Sequence, residues 1–209
     1  MANAAVAEGK DVALQGLIWH FFNQRIAYQN CYRLYQVDDP NGYREHGEYA
    51  PHTLYYASFG GLISAVERLL GEGADVNAQG GHYSNALQAA SYQGHDKVVE
   101  RLLAEGADVN AQGIEFYGIY DSNALYAASW EGHEKVVERL LAKGADVNAQ
   151  GGLYGHALEA ASERGHEAVV KLLLDKGADV NAQGCEYGHA LERASNRGDE
   201  AVVKLLLDK

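Results

Sequence analysis

Cysteine is scarce in this sequence. Cys31 and Cys185 are the only two among 209 residues, and they lie far apart in unrelated contexts. Neither a disulfide framework nor a thiolate metal site is therefore predicted. This usage fits a reducing, intracellular setting best, so we expect a cytoplasmic protein.

Basic residues are also few. Seventeen Lys and Arg stand against 29 Asp and Glu, which leaves a net charge of −12 at pH 7. A protein that releases counterions from nucleic acid needs a basic face, so nucleic-acid binding is disfavoured. The expected partner is a protein or a small molecule.

Long apolar runs are absent as well. No stretch approaches 18 consecutive apolar residues, and the start MANAAVAEGKD has no basic flank before an apolar run. Neither a membrane span nor a signal peptide is predicted. Because 47% of the residues are nevertheless hydrophobic, the chain has enough apolar side chains for a packed core.

The sequence repeats itself. The string GADVNAQG begins at Gly73, Gly106, Gly144 and Gly177, with spacings of 33, 38 and 33 residues. The period is therefore 33, interrupted once by five extra residues within GIEFYGIYDS at 113–122.

Each unit has the pattern of two helices and a turn. Asn85 is positioned to cap a short first helix, and Gly94 ends that helix. An apolar stripe of Val and Leu then predicts a second helix, which ends at the left-handed Gly106. The segment ADVNAQGG that follows has turn composition, and we call this link between units the finger.

A unit of this size cannot cover its own apolar faces, so the units must stack into a solenoid. The period, the Gly-His turn and the closing GADVNA resemble the ankyrin repeat over residues 50–209. The variants NALQAAS, GHEKVVE and DVNAQGG are also similar to repeats of fungal NLR-like receptors, in which an ankyrin array follows a nucleotide-binding domain. This chain has no G-x-x-x-x-G-K-[ST] motif for nucleotide binding.

The expected fold is thus an all-α ankyrin solenoid with β-hairpin-like fingers. Residues 1–49 are predicted to form a helical cap and a loop that cover the first unit. The boundaries of the five units follow from the repeat and lie at about 50–79, 80–112, 113–150, 151–183 and 184–209.

The last unit reads LLLDK without a closing Gly. Part of its apolar face is therefore expected to be exposed, which fits a longer parent array, self-association or a partner at that end.

The sequence gives little support for catalytic or metal-binding residues. His95, His133 and His166 recur after the turn Gly, which indicates a structural role, and no metal-ligand spacing such as H-E-x-x-H occurs. His156 and His189 replace the capping Asn of earlier units and are expected to meet the helix N-terminus or the neighbouring finger. We therefore predict no metal and no cofactor.

A nucleophilic serine or an acid–base pair is equally unsupported. A serine recurs in every unit, as framework residues do, and Glu159 and Glu192 are expected to be solvated charges. We therefore expect no enzymatic activity.

By resemblance to ankyrin proteins, a partner would bind the concave surface of first helices and finger tips, at positions that vary between units. One such position holds Tyr55, Gln88, Tyr126, Glu159 and Glu192. The other holds Phe59, Tyr92, Trp130, Glu163 and Asn196. Tyr55, Tyr56 and Phe59 are as compatible with packing as with binding, and the recurrent Tyr83, Tyr154 and Tyr187 indicate finger framework.

The variable positions predict a protein-binding scaffold with aromatic anchors in units one to three and charges in units four and five. The predicted contact residues are Tyr92, Tyr126, Trp130, Glu159, Glu163, Arg164, Arg193 and Arg197. Phe116, Tyr117 and Tyr120 of the insertion are predicted to form an enlarged wall of the concave binding groove. Three alternatives remain open: neutral drift of the insertion, a small-molecule sensor or rudimentary enzyme with a pocket under the insertion, and an array that self-associates through its last unit.

Overall fold

The computed structural model describes residues 53–113, 123–151, 155–182, 184 and 188–209. Within these ranges the chain forms ten α-helices, two in each unit. In chain order they are α1 Thr53–Phe59, α2 Ile63–Gly71, α3 Ala86–Tyr92, α4 Asp96–Ala104, α5 Ala124–Glu131, α6 Glu134–Ala142, α7 Ala157–Arg164, α8 Glu167–Asp175, α9 Ala190–Arg197 and α10 Glu200–Leu207.

The helix ends follow the local sequence. The side-chain oxygens of Asn85 and Asn123 accept hydrogen bonds from Gln88 N and Tyr126 N, at 2.9 and 2.8 Å, so both residues cap their first helices as predicted. Gly106 follows a second helix with φ +86°, in the left-handed conformation that glycine adopts without strain.

Neighbouring units stack through like helices. First helices contact first helices from α1 to α9, and second helices contact second helices from α2 to α10. The apolar stripe of each second helix closes the core, and in α4 the side chains of Val98, Val99 and Leu102 are fully buried. Each such side chain stabilises the fold by about 1.5–3 kcal/mol.

The fingers are joined across units by an asparagine in each. Asn77 Nδ2 donates to Gly106 O at 3.2 Å, and its Oδ1 accepts from Asp108 N at 2.8 Å. Asn110 and Asn148 make the same two contacts with the unit that follows them. One amide thus satisfies a donor and an acceptor of the next finger.

The predicted all-helical solenoid is confirmed. Two isolated antiparallel bridges, between Gln79 and Asn85 and between Gln150 and His156, are the β-structure of the described fingers. The predicted cap at 1–49 and the five-residue insertion lie outside the described residues.

Candidate functional site

The site predicted from the sequence lies on the first-helix surface, which we define as the face formed by the ends of α1, α3, α5, α7 and α9 and the fingers beside them. The turn histidines build this surface. Nε2 of His95, His133 and His166 lies 3.0, 2.9 and 3.0 Å from the backbone oxygens of Phe59, Tyr92 and Trp130. Each imidazole therefore bridges two units, and the predicted structural role is confirmed.

These bridges hold the backbone of three aromatic residues. Phe59, Tyr92 and Trp130 occupy the same position in α1, α3 and α5, so a histidine of the following unit fixes each of them at a helix end. Partly exposed aromatic side chains thus recur in three consecutive units.

Tyr83 connects the first two of these rings. Its ring stacks on Phe59 with 5.9 Å between centroids and on Tyr92 with 4.3 Å. We call Phe59, Tyr83, Tyr92 and Trp130 the aromatic stripe; all four are half-buried. Offset ring pairs of this kind contribute about 0.5–1.5 kcal/mol beyond area burial, so the stripe is held in place before any partner arrives.

Trp130 is held by contacts with two neighbouring side chains. Tyr126 stacks against it with 6.2 Å between centroids and 18° between planes. The guanidinium carbon of Arg164 lies 4.7 Å from the centre of the Trp130 ring, and Arg164 Nη2 lies 3.6 Å from Glu131 Oε1. We call Trp130, Glu131 and Arg164 the Trp130 corner.

Tyr92 lies beside this corner. Burial raises the pKa of its phenol, the Glu131 carboxylate adds to the rise, and a hydrogen bond with Tyr83 opposes it. The phenol stays protonated at neutral pH and shares hydrogen bonds with Tyr83 and Glu131.

The variable position that holds Tyr55, Gln88, Tyr126 and Glu159 does not lie on the surface in units one to four. Tyr55, Gln88, Tyr126 and Glu159 are buried under the next finger, with Tyr126 7% and Glu159 1% exposed. The Tyr55 ring lies against Gly81, and the Tyr126 ring lies against Gly151. Gln88 Nε2 donates to Ala111 O at 3.0 Å. The expectation that Tyr126 and Glu159 are surface contacts is therefore wrong.

Glu159 was also expected to be solvated, and this is wrong. Its Oε2 accepts a hydrogen bond from His156 N at 2.8 Å, and its carboxylate lies between Gly155 and Gly184, where any added Cβ would collide with it. Its Oε1 has no hydrogen-bond partner within the described part of the chain. Glu192, at the same position of the last unit, is exposed as expected.

The charged part of the site is smaller than expected. Arg193 is only 6% exposed and forms an ion pair with Glu163, so it is not an open surface contact. Arg197 is exposed, and its Nη1 donates to Glu163 O at 3.3 Å. Glu163 and Arg164 also reach the surface. Phe116, Tyr117 and Tyr120 lie outside the described residues.

Two members of the site were missed from the sequence. The recurrence of a Tyr at position 83 indicates finger framework, and its stacking on Phe59 and Tyr92 agrees with that role while making it part of the aromatic stripe. Glu131 stands where other units have Gly60, Gln93, Arg164 and Arg197, and comparing this position between units reveals it.

The described residues show little that resembles catalytic chemistry. Among them, no group of three or more His, Cys, Asp or Glu is placed to hold a metal ion. Ser58, Ser91, Ser129 and Ser162 are fully buried, which confirms that these serines are framework. His189 Nδ1 lies 3.0 Å from Ala182 O, so this histidine contacts its finger.

Stacked helix pairs, turn histidines and asparagine-linked fingers define a stacked helical repeat protein. Family models agree: a model of ankyrin repeats (3 copies) matches residues 54–151, and a model of ankyrin repeats (many copies) matches 158–208. The chain belongs to the ankyrin repeat family.

No curated protein matches the sequence significantly. Ankyrin repeat proteins are generally non-catalytic scaffolds that bind other proteins. Among the described helices, none has the length and apolar character needed to cross a membrane.

Proposed function

We propose that this protein is a non-catalytic scaffold that binds a protein partner on its first-helix surface, with the aromatic stripe as anchor. The observation that carries the proposal is the position of Phe59, Tyr92 and Trp130, which are half-buried at equivalent helix ends and held there by histidines of the following units. Rigid aromatic side chains lose little entropy on binding and dominate many interfaces.

The burial of the other candidates narrows the proposed contact set. Tyr92 and Trp130 supply the anchors, while Glu163, Arg164 and Arg197 supply polar contacts beside them. The buried ring of Tyr126 stacks against the Trp130 ring. Phe116, Tyr117 and Tyr120 remain in the proposal as an enlarged wall of the groove.

Affinity capture followed by mass spectrometry tests this proposal. Immobilised parent protein is expected to retain a protein partner that the Tyr92→Ala/Trp130→Ala variant does not. Glu138→Ala is the control, because it truncates an exposed side chain of α6, outside the first-helix surface. Equal capture by the parent and the double variant, at equal melting temperatures, would contradict the proposal.

Self-association through the last helix pair is a second candidate. Leu207 of α10 is 67% exposed, and together with Val203 and Gly198 it lines a shallow depression in the described surface. Exposed apolar patches mark association sites. Light scattering on the parent and on Leu207→Glu tests this candidate: it requires an oligomer that the variant lacks, and a monomeric parent at high concentration excludes it. The small-molecule alternative has no supporting observation among the described residues.

The repeat sequences support a more specific proposal about the kind of array and its location in the cell. Their similarity to repeats of fungal NLR-like receptors suggests a ligand-sensing array in the cytoplasm. A fluorescent fusion in a fungal cell tests the location, and exclusion of the fusion from the cytoplasm would contradict it.

A further inference from the structure

The Trp130 corner already holds a cationic group. The Arg164 guanidinium lies 4.7 Å from the Trp130 ring centre and 3.6 Å from Glu131 Oε1. A π face beside a carboxylate is a common combination for binding a guanidinium or ammonium group. The dimensions of the corner therefore suit such a group.

Arg164 is held loosely in this corner. Its side chain is 45% exposed, and its 3.6 Å distance to Glu131 exceeds that of a hydrogen bond. Arg193, one unit further along, is by contrast buried and directly paired with Glu163. Among the described residues, moving Arg164 aside therefore breaks no close hydrogen bond and buries no unpaired charge.

Glu131 makes the corner unusual within this chain. The position that follows the aromatic stripe residue in each first helix is acidic only in the third unit, and the carboxylate of Glu131 there interacts with the Tyr92 phenol. The net charge of −12 attracts a basic partner toward the chain as a whole over a long range.

We propose that the Trp130 corner is a subsite for a Lys or Arg side chain of the protein partner, which displaces Arg164 from the Trp130 ring and pairs with Glu131. This inference rests on the proposed function and specifies the chemistry of the partner at one point of the first-helix surface. The opposite arrangement, in which a partner carboxylate pairs with Arg164, is an outcome of the test below.

Intrinsic fluorescence gives a direct test. The chain has two tryptophans, and Trp19→Phe leaves Trp130 as the only one. In this background, N-acetyl-arginine amide, N-acetyl-glutamine amide and N-acetyl-glutamate amide are titrated against the parent, Arg164→Ala and Glu131→Gln at about 150 mM salt, where distant charges are screened. Glu138→Gln, which removes an exposed carboxylate from α6, is the matched control.

The proposal expects saturable quenching by the arginine probe alone. Binding should be about fivefold tighter in Arg164→Ala, since the competing guanidinium is gone, about fivefold weaker in Glu131→Gln, and unchanged in Glu138→Gln. Absence of any saturable response in Arg164→Ala, equal responses to the arginine and glutamine probes, or tighter binding of the glutamate probe to the parent would overturn the proposal.

Partner capture separates this inference from the proposed function. A partner that is lost with Tyr92→Ala/Trp130→Ala and with Glu131→Gln supports both proposals. A partner that is lost with the double variant but retained by Glu131→Gln supports the scaffold function and refutes the cation subsite.

Discussion

Glycine and histidine depend on each other at the turns between helices. A Cβ on Gly132 would lie 2.6 Å from His166 Nδ1, and the same His166 ring holds the Trp130 backbone through Nε2. The glycine therefore leaves room for the imidazole that fixes the aromatic stripe. Gly144 is also left-handed, yet an added Cβ there would meet nothing within 4 Å.

Comparing Gly132→Ala with Gly144→Ala separates the cost of the left-handed conformation from the cost of the collision with His166. Both variants force alanine into a left-handed conformation, which costs about 1 kcal/mol. Only Gly132→Ala also collides with His166, which adds about 1–3 kcal/mol. Urea unfolding should therefore show a larger loss of unfolding free energy for Gly132→Ala, and equal losses would contradict the proposed packing.

At the scale of the helices and fingers, polar contacts between units occur on two sides of the array. The asparagines link one finger to the next, and Arg139 of α6 pairs with Asp96 and Glu100 of α4 on the second-helix side. These contacts set the register of neighbouring units, because each connects atoms at fixed positions of the repeat.

Asn110→Ala is expected to destabilise the array. It removes the donor to Gly144 O and the acceptor for Asp146 N, and two exposed hydrogen bonds contribute about 1–2 kcal/mol in total. Asn181→Ala is the matched control, since no bridge of this kind from Asn181 is seen within the described residues. Chemical denaturation measures both, and equal destabilisation would refute the role assigned to the bridge.

Asp96→Asn tests the ion pair through its pH dependence. The hydrogen bond from Arg139 lowers the pKa of Asp96, so the pair contributes fully above the ordinary carboxyl pKa of about 3.9 and is lost as pH falls through the lower folded-state pKa. Both side chains are about one-third exposed, and we expect a loss of about 0.5–1 kcal/mol at pH 7.

The corresponding measurement is urea unfolding of the parent and Asp96→Asn between pH 7 and pH 2.5. The difference between them should vanish at the acidic end. Glu138→Gln on α6 controls for loss of one carboxylate. A difference that persists unchanged at low pH would show that the ion pair is not its source.

At the scale of the whole molecule, most of the fold could be predicted from the repeat. The caps Asn85 and Asn123 act within one helix, and the turn histidines recur with the repeat, so the structural roles of both follow from their spacing. Spacing does not tell which first-helix side chains the next finger covers. Tyr126 and Glu159 were therefore placed on the surface although they are buried.

The candidate site was predictable only in part for the same reason. Trp130 and Tyr92 were found because they vary between units, whereas Tyr83 was set aside because it recurs. The stack that joins Tyr83 to Phe59 and Tyr92 brings a finger residue against the ends of two helices. Such a contact depends on the packing of adjacent units and leaves no periodic signal.

The central claim is that the aromatic stripe anchors a protein partner. Calorimetric titration of the captured partner into the parent, Tyr92→Ala/Trp130→Ala and Glu138→Ala tests it most directly. We expect the double variant to bind at least about 30-fold more weakly, which corresponds to about 2 kcal/mol, while Glu138→Ala binds like the parent. Equal dissociation constants for the parent and the double variant, with both folded, would contradict the claim.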